Sequence, residues 1–247
     1  MTETQPETFL DRSLRGARFD RCDLSGVVMR GVDVAGLDLD SPWLDEGEAL
    51  LVNGVDVVPY VEAELDRRFP GRSLRTASDP AGLLAAWDAV EAAWAAAVER
   101  AEGLPAEARD RQVDGEWSFA QTLRHLVMAT DVWLRGAVLG IEQPYHPLGQ
   151  PNAEFATDGY DTSVFADGIP AWADVLAARA SRQELVRAFI ADVTAEELTT
   201  RRTHPWSSEH TVDVLHCLHT ILREEWEHLR FAVRDLDALG TDLAARG

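Results

Sequence analysis

The chain contains no lysine: all 23 of its basic residues are arginine, set against 43 aspartates and glutamates. Without lysine there is neither Schiff-base chemistry nor a Walker-type phosphate loop. Cysteine is nearly as scarce. Cys22 and Cys217 stand far apart with no disulfide framework around them, the pattern of reduced, hydrophobe-like thiols in a cytoplasmic protein. The opening residues, MTETQPETFLDR, lack the basic and apolar regions of a signal peptide. No apolar run approaches the roughly 18 residues that a membrane span requires, so no membrane partner is expected. A net charge of −20 opposes contact with a phosphate backbone, which excludes a general nucleic-acid binder. What is present is ordinary globular material, 46% hydrophobic over 247 residues, enough for a large domain with a smaller appendage.

A repeat lies near the N-terminus. A large apolar residue returns every fifth position at Phe9, Leu14, Phe19, Leu24, Met29, Val34 and Leu39, with Ala17, Cys22, Val27, Val32 and Leu37 two places before most of them. The blocks read RGARF-DRCDL-SGVVM-RGVDV-AGLDL. This period fits neither a helix nor a strand. It resembles the pentapeptide-repeat family, which implies a square-sectioned right-handed β-helix, here of fewer than two coils. Repeat units bury their faces only against neighbours, so a β stub this short is expected to lack independent stability. It is also too short for the DNA-mimic role of long repeats, and an irregular loop that happens to alternate remains the other reading. Next come a hairpin at Leu51–Val58 about Asn53-Gly54 and a short helix from Pro59 that ends before Pro70-Gly71. The expected N-terminal segment is 1–75.

The remainder, 76–247, is helical in period. Leu83, Leu84, Trp87, Val90, Trp94 and Val98 mark a first long helix at 80–102. Ser118 and Gln121 form a capping box that starts a second at 118–139, before Gly140. After a polar, aromatic-bearing segment at 140–170, a third spans 171–192, Thr194 with Glu197 caps a short turn, and a fourth spans 211–238 before Gly240. The expected class is mainly α: a four-helix bundle with a long crossover between helices two and three.

Four of the seven histidines, His125, His216, His219 and His228, fall on these helices. At 100° per residue, Glu224 lies about 40° from His228, Ile221 and Cys217 about 20°, and Glu225 about 60° on the other side. His219 falls about 180° away and His216 about 120°. A carboxylate and an imidazole four apart, Glu224 (or Glu225) with His228, can hold one divalent metal from a single helix, leaving a third ligand to another. The bland alternative is a surface polar pair. His125 sits on the apolar face of the second helix.

The segment WSFAQTLRHLVMATDVWLRGAVLG, with its internal histidine, and LHCLHTILREEWEHLRFAVRDL together resemble the DinB-like four-helix-bundle superfamily over roughly 76–240. The resemblance implies a divalent metal, zinc or nickel, held by His125, Glu224 and His228. That is a His–Glu–His set like the one in mycothiol-dependent maleylpyruvate isomerases, where other members use three histidines. It further implies a thiol S-transferase or isomerase that takes a low-molecular-weight thiol such as mycothiol and an electrophile, in a possible homodimer. A non-catalytic interaction module with a structural or vestigial metal is the second class of reading. Substrate contacts are expected from Tyr145, His146, Phe155, Tyr160 and Phe165. Trp94, Trp117, Trp133 and Trp226 are expected in the core, Cys217 as buried filler, and Asp131 and Arg234 as partners behind the ligands.

Overall fold

The computed structural model describes residues 8–246. The chain divides into two compact units between Ser41 and Pro42.

In the small unit the backbone itself keeps the five-residue period. φ is positive at Asp11, Gly16, Arg21, Gly26, Gly31 and Gly36. Glycine takes four of these six corners, where a Cβ costs about 1–2 kcal/mol. Turn hydrogen bonds run from the N–H groups of Ala17, Val27 and Leu37 to the carbonyls of Leu14, Leu24 and Val34. Among the described residues of this unit no β-strand forms, which corrects the expected β stub: a corner every fifth residue leaves runs too short to form a ladder within one copy. The large apolar residues of the repeat are exposed.

The large unit is mainly helical with two small antiparallel hairpins. β1 (Leu51–Val52) and β2 (Val55–Asp56) pair about Asn53 and Gly54. Both turn residues have positive φ, the mirror-image turn that Asn-Gly selects. α1 (Val58–Arg68) begins with Pro59 in its first turn and leads to a 3-10 turn at Arg72–Thr76. These elements belong with the long helices, so the division lies at 41/42 where the sequence suggests 75/76. Arg72 explains the attachment. It is buried, donates to Glu62 and Asp66 at 2.9 Å, and lies 3.6 Å from Glu227. At Gly71, φ is 94° and an added Cβ would fall 2.5 Å from the Ala89 side chain, so only glycine lets the turn approach.

Four long helices follow. α2 (Pro80–Glu102) is capped by the Asp79 carboxylate. α3 (Phe119–Thr130) starts in the Ser118–Gln121 capping box and continues without a break as a π-helix over Asp131–Val138. α4 (Trp172–Asp192) is followed by α5 (Ala195–Leu198), capped by Thr194. α6 (Val214–Arg246) closes the chain. α2 packs on α4 and α6, and α3 packs on the same two. Their apolar faces meet in one core that includes Trp87, Trp94, Leu123, Ile190, Ile221 and Trp226. By length and composition alone α2 would pass for a membrane span, contrary to the expectation of none. Its alanines raise the hydropathy, and its Leu83, Trp87, Val90 and Trp94 lie inside the core.

Two boundaries differ from expectation. β3 (Arg201–His204) and β4 (Ser207–Asp213) form a hairpin with a register shift at its tip, so α6 begins at Val214 and not at 211. Its far end runs through Gly240, where an added Cβ would meet nothing within 4 Å; a helical glycine costs only about 1 kcal/mol. The 140–170 crossover carries its own small core. Phe155, buried, lies edge-on to Tyr145, Phe165 and Trp206. The aromatics expected to meet substrate therefore pack on one another.

Candidate metal centre

α3 and α6 bring His125, Glu224 and His228 together, with one nitrogen or oxygen of each lying within 4.8 Å of the others. Local hydrogen bonds set both rings. His125 donates from Nδ1 to the carbonyl of Gln150 at 3.0 Å, and His228 donates from Nδ1 to the Glu224 carbonyl one turn back at 2.9 Å. A carbonyl only accepts, so each ring carries a proton on Nδ1, which leaves Nε2 as the nitrogen able to ligate an ion.

Electrostatics sharpen the picture. Burial pushes the Glu224 carboxyl up, but the hydrogen bond to His125 and the charges of His228 and His125 outweigh it and hold it at about 2. Burial, and then His125, push His228 down to about 4 against the pull of Glu224. Near neutral pH the site therefore holds an ionised carboxylate and a neutral His228. The Nε2 of His125 faces the Glu224 Oε2 at 3.3 Å. An imidazole nitrogen and a carboxylate oxygen this close share either a proton, as in the hydrogen bond that lowers the Glu224 pKa, or a cation. Two imidazole nitrogens and one carboxylate oxygen suit a borderline divalent ion of the zinc and nickel type. With three protein ligands, positions stay open for other molecules.

A family model of the DinB superfamily matches residues 58–232. The chain belongs to the DinB superfamily. No curated protein and no solved structure matches it. The matched region opens on the first residue of α1 and closes shortly after His228, so this DinB domain contains all three clustered residues.

The DinB domain also settles the neighbours. Glu225, the alternative carboxylate, does not face the imidazoles: it is buried on another side of α6 and ion-paired with Arg179. His219 contacts the Ala77 carbonyl at 2.8 Å, and His216 lies against Trp133, both away from the cluster. Cys217 is fully buried, and burial raises its thiol to about 11, an inert filler. Trp94, Trp133 and Trp226 are core residues, but Trp117 is not simply that. Its ring lies 4.5 Å from the His125 ring and stacks 6.0 Å from His228 at 19°. Only contact across the fold reveals this, because Trp117 precedes the α3 cap and shares no helical register with His125. Phe231 meets His228 edge-on at 5.9 Å, with Arg230 and Arg234 over its ring.

Behind the cluster stands a strap. Asp131 is fully buried and accepts from Arg182 at 2.6 Å and from the His146 N–H at 2.7 Å. Arg124 donates to the Leu148 carbonyl at 2.9 Å, and the Gln150 N–H donates to the Arg124 carbonyl. Residues 146–150 are thereby fixed along α3, and Gln150 offers its carbonyl to His125. Asp131 supports the site through this strap. Arg234 pairs instead with Glu116 and Asp235 near the rim.

Proposed function

We propose that this protein is a metal-dependent enzyme, an S-transferase or isomerase that uses a low-molecular-weight thiol of the mycothiol kind with a small electrophile. In this reading the four long helices are the four-helix bundle of the superfamily, with 140–170 as its crossover, and residues 9–39 are a pentapeptide-repeat-like appendage. Its setting is the cytoplasm, with both cysteines reduced. The observation that carries the reading is the convergence of His125, an ionised Glu224 and His228, one nitrogen or oxygen of each within 4.8 Å of the others. His125, Glu224 and His228 would hold the ion. When bound it supplies Lewis-acid activation of a thiol or a water near neutral pH.

The rest of the chemistry belongs to the chain. Glu224 stays ionised and partly offsets the charge of the ion. Gln150 and the Glu224 carbonyl each hold one ring through Nδ1, and the Nε2 of His125 faces Glu224. Trp117 lies over the imidazole faces, and Phe231 stands edge-on beside His228. Arg230, paired with Glu227, and Arg234, paired with Glu116 and Asp235, give the rim a polar side suited to a sugar-bearing thiol. The His–Glu–His set supports the mycothiol subtype, since it resembles that of the maleylpyruvate isomerases.

The test is consumption of mycothiol in the presence of a panel of electrophiles. Turnover should track divalent-metal content and stop on chelation. Equal turnover by metal-free protein would refute the enzyme reading. Metal present without turnover of any thiol would favour an interaction module with a structural ion.

A further inference from the structure

We infer that residues 9–39 are a self-association surface whose occupant is the same segment of a second copy of this chain. Twelve large apolar residues between Phe9 and Leu39 are 42–75% exposed. Each is roughly half exposed, and together they offer apolar surface on the scale of the ~800 Å² per partner of a standard interface. Soluble monomers rarely expose contiguous apolar patches beyond a few hundred Å². Past residue 75, the described residues expose only four large hydrophobics, Leu139, Ile141, Ile169 and Trp206. The apolar excess is therefore confined to the N-terminal third.

Three observations select the occupant. First, the backbone turns every fifth residue from Asp11 to Gly36, with turn hydrogen bonds but no strand ladder. A coil of this pitch is completed by another chain of the same pitch, and the segment supplies too few turns to complete itself. Second, the charges suit a copy of itself. Residues 8–41 carry five arginines interleaved with six aspartates, whereas the whole chain carries −20. Two copies repel through the rest of their surfaces but meet near neutrality here, and each offers both signs to the other. A partner of one charge sign, such as nucleic acid or an acidic peptide, gains nothing from that mixture. Third, the large apolar residues return at one fixed interval, so two ladders interdigitate along their length. A closed two-fold pair is the simplest such assembly. This inference stands apart from the metal reading: either can fail alone.

Sedimentation velocity on the full-length protein tests it. The wild type should dimerise reversibly as concentration rises through the micromolar range. The double variant Phe19→Asp/Leu24→Asp should weaken association at least about 100-fold, while Ile169→Asp, an exposed apolar residue elsewhere, should leave it unchanged. Far-UV circular dichroism of the variant checks that the helices remain. Alkylation of Cys22, which is exposed in the repeat while Cys217 is buried, gives an independent reading. Its rate should fall several-fold as the wild type dimerises and stay constant in the double variant. A monomer at every concentration, a dimer indifferent to Phe19→Asp/Leu24→Asp, or alkylation independent of concentration would each overturn the inference.

Discussion

Asp131→Asn separates the structural and functional roles of the strap. The asparagine keeps an oxygen for the His146 N–H but removes the charge that faces Arg182 at 2.6 Å. Arg182 is buried and leaves one uncompensated cation, the situation in which breaking an ion pair costs about 3–5 kcal/mol. Arg135, 3.4 Å from the same carboxylate, is less buried and relaxes toward solvent, so the lower end, about 3 kcal/mol, is expected. For a unit of this size that lowers Tm by roughly 6–12 °C. Burial already pushes the Asp131 carboxyl up despite its arginine partners, so the pair is costly to hold as well as costly to break. Replacing both members, Asp131→Asn with Arg182→Met, should therefore recover most of the loss. The second readout is metal affinity. If the strap fixes Gln150 and through it His125, affinity should fall about 10–100-fold, as for other groups that orient a ligand from behind. Denaturant unfolding and competition titration with a chromophoric chelator measure the two effects. Lost stability with unchanged affinity would refute the positioning role. An unchanged protein on both counts would refute the buried pair itself.

Two further outcomes follow from the geometry. In chelator-treated protein, His228 has a folded pKa of about 4, below its ordinary 6.5. The unfolded chain binds more protons in that window, so the contribution is full above 6.5 and is lost as pH falls to about 4, at most about 3 kcal/mol. Denaturation curves across that range check it, and His228→Gln should flatten the slope. Trp117 lies 4.5 Å from the His125 ring, so a paramagnetic divalent ion should quench its fluorescence. Trp117→Phe should abolish the metal-dependent part of the quench while the other tryptophans still emit; quenching unchanged in that variant would place the ion elsewhere.

The helices were legible because their signals are local. Ser118 with Gln121, Thr194 with Glu197, Asp79 before Pro80 and Asn53-Gly54 each satisfy or shape their own backbone, and no distant residue enters. The face shared by Glu224 and His228 was legible for the same reason, as arithmetic on one helix. What escaped was set across the fold. Whether Glu224 or Glu225 turns to His125 depends on Arg179 of α4, which takes Glu225. Trp117 joins the site only because α6 passes beside the α3 cap. The β3–β4 hairpin was hidden by the helical period that follows it, although the β-branched Thr211-Val212 beyond His204-Pro205-Trp206 was an available signal. Gly240 has the look of a helix stop, but a glycine ends a helix only where the chain must turn, and here α6 continues to Arg246. The five-residue period was plain in the sequence, yet it gave corners without strands, since ladder partners lie outside a single short segment.

Elemental analysis of protein purified without chelator tests the central claim most directly. The wild type and His219→Ala should each carry about one divalent ion per chain, zinc or nickel, because His219 serves only the Ala77 carbonyl. His125→Ala and His228→Ala should each carry almost none. Equal content in all four proteins, or no metal in the wild type after incubation with either ion, would contradict the account.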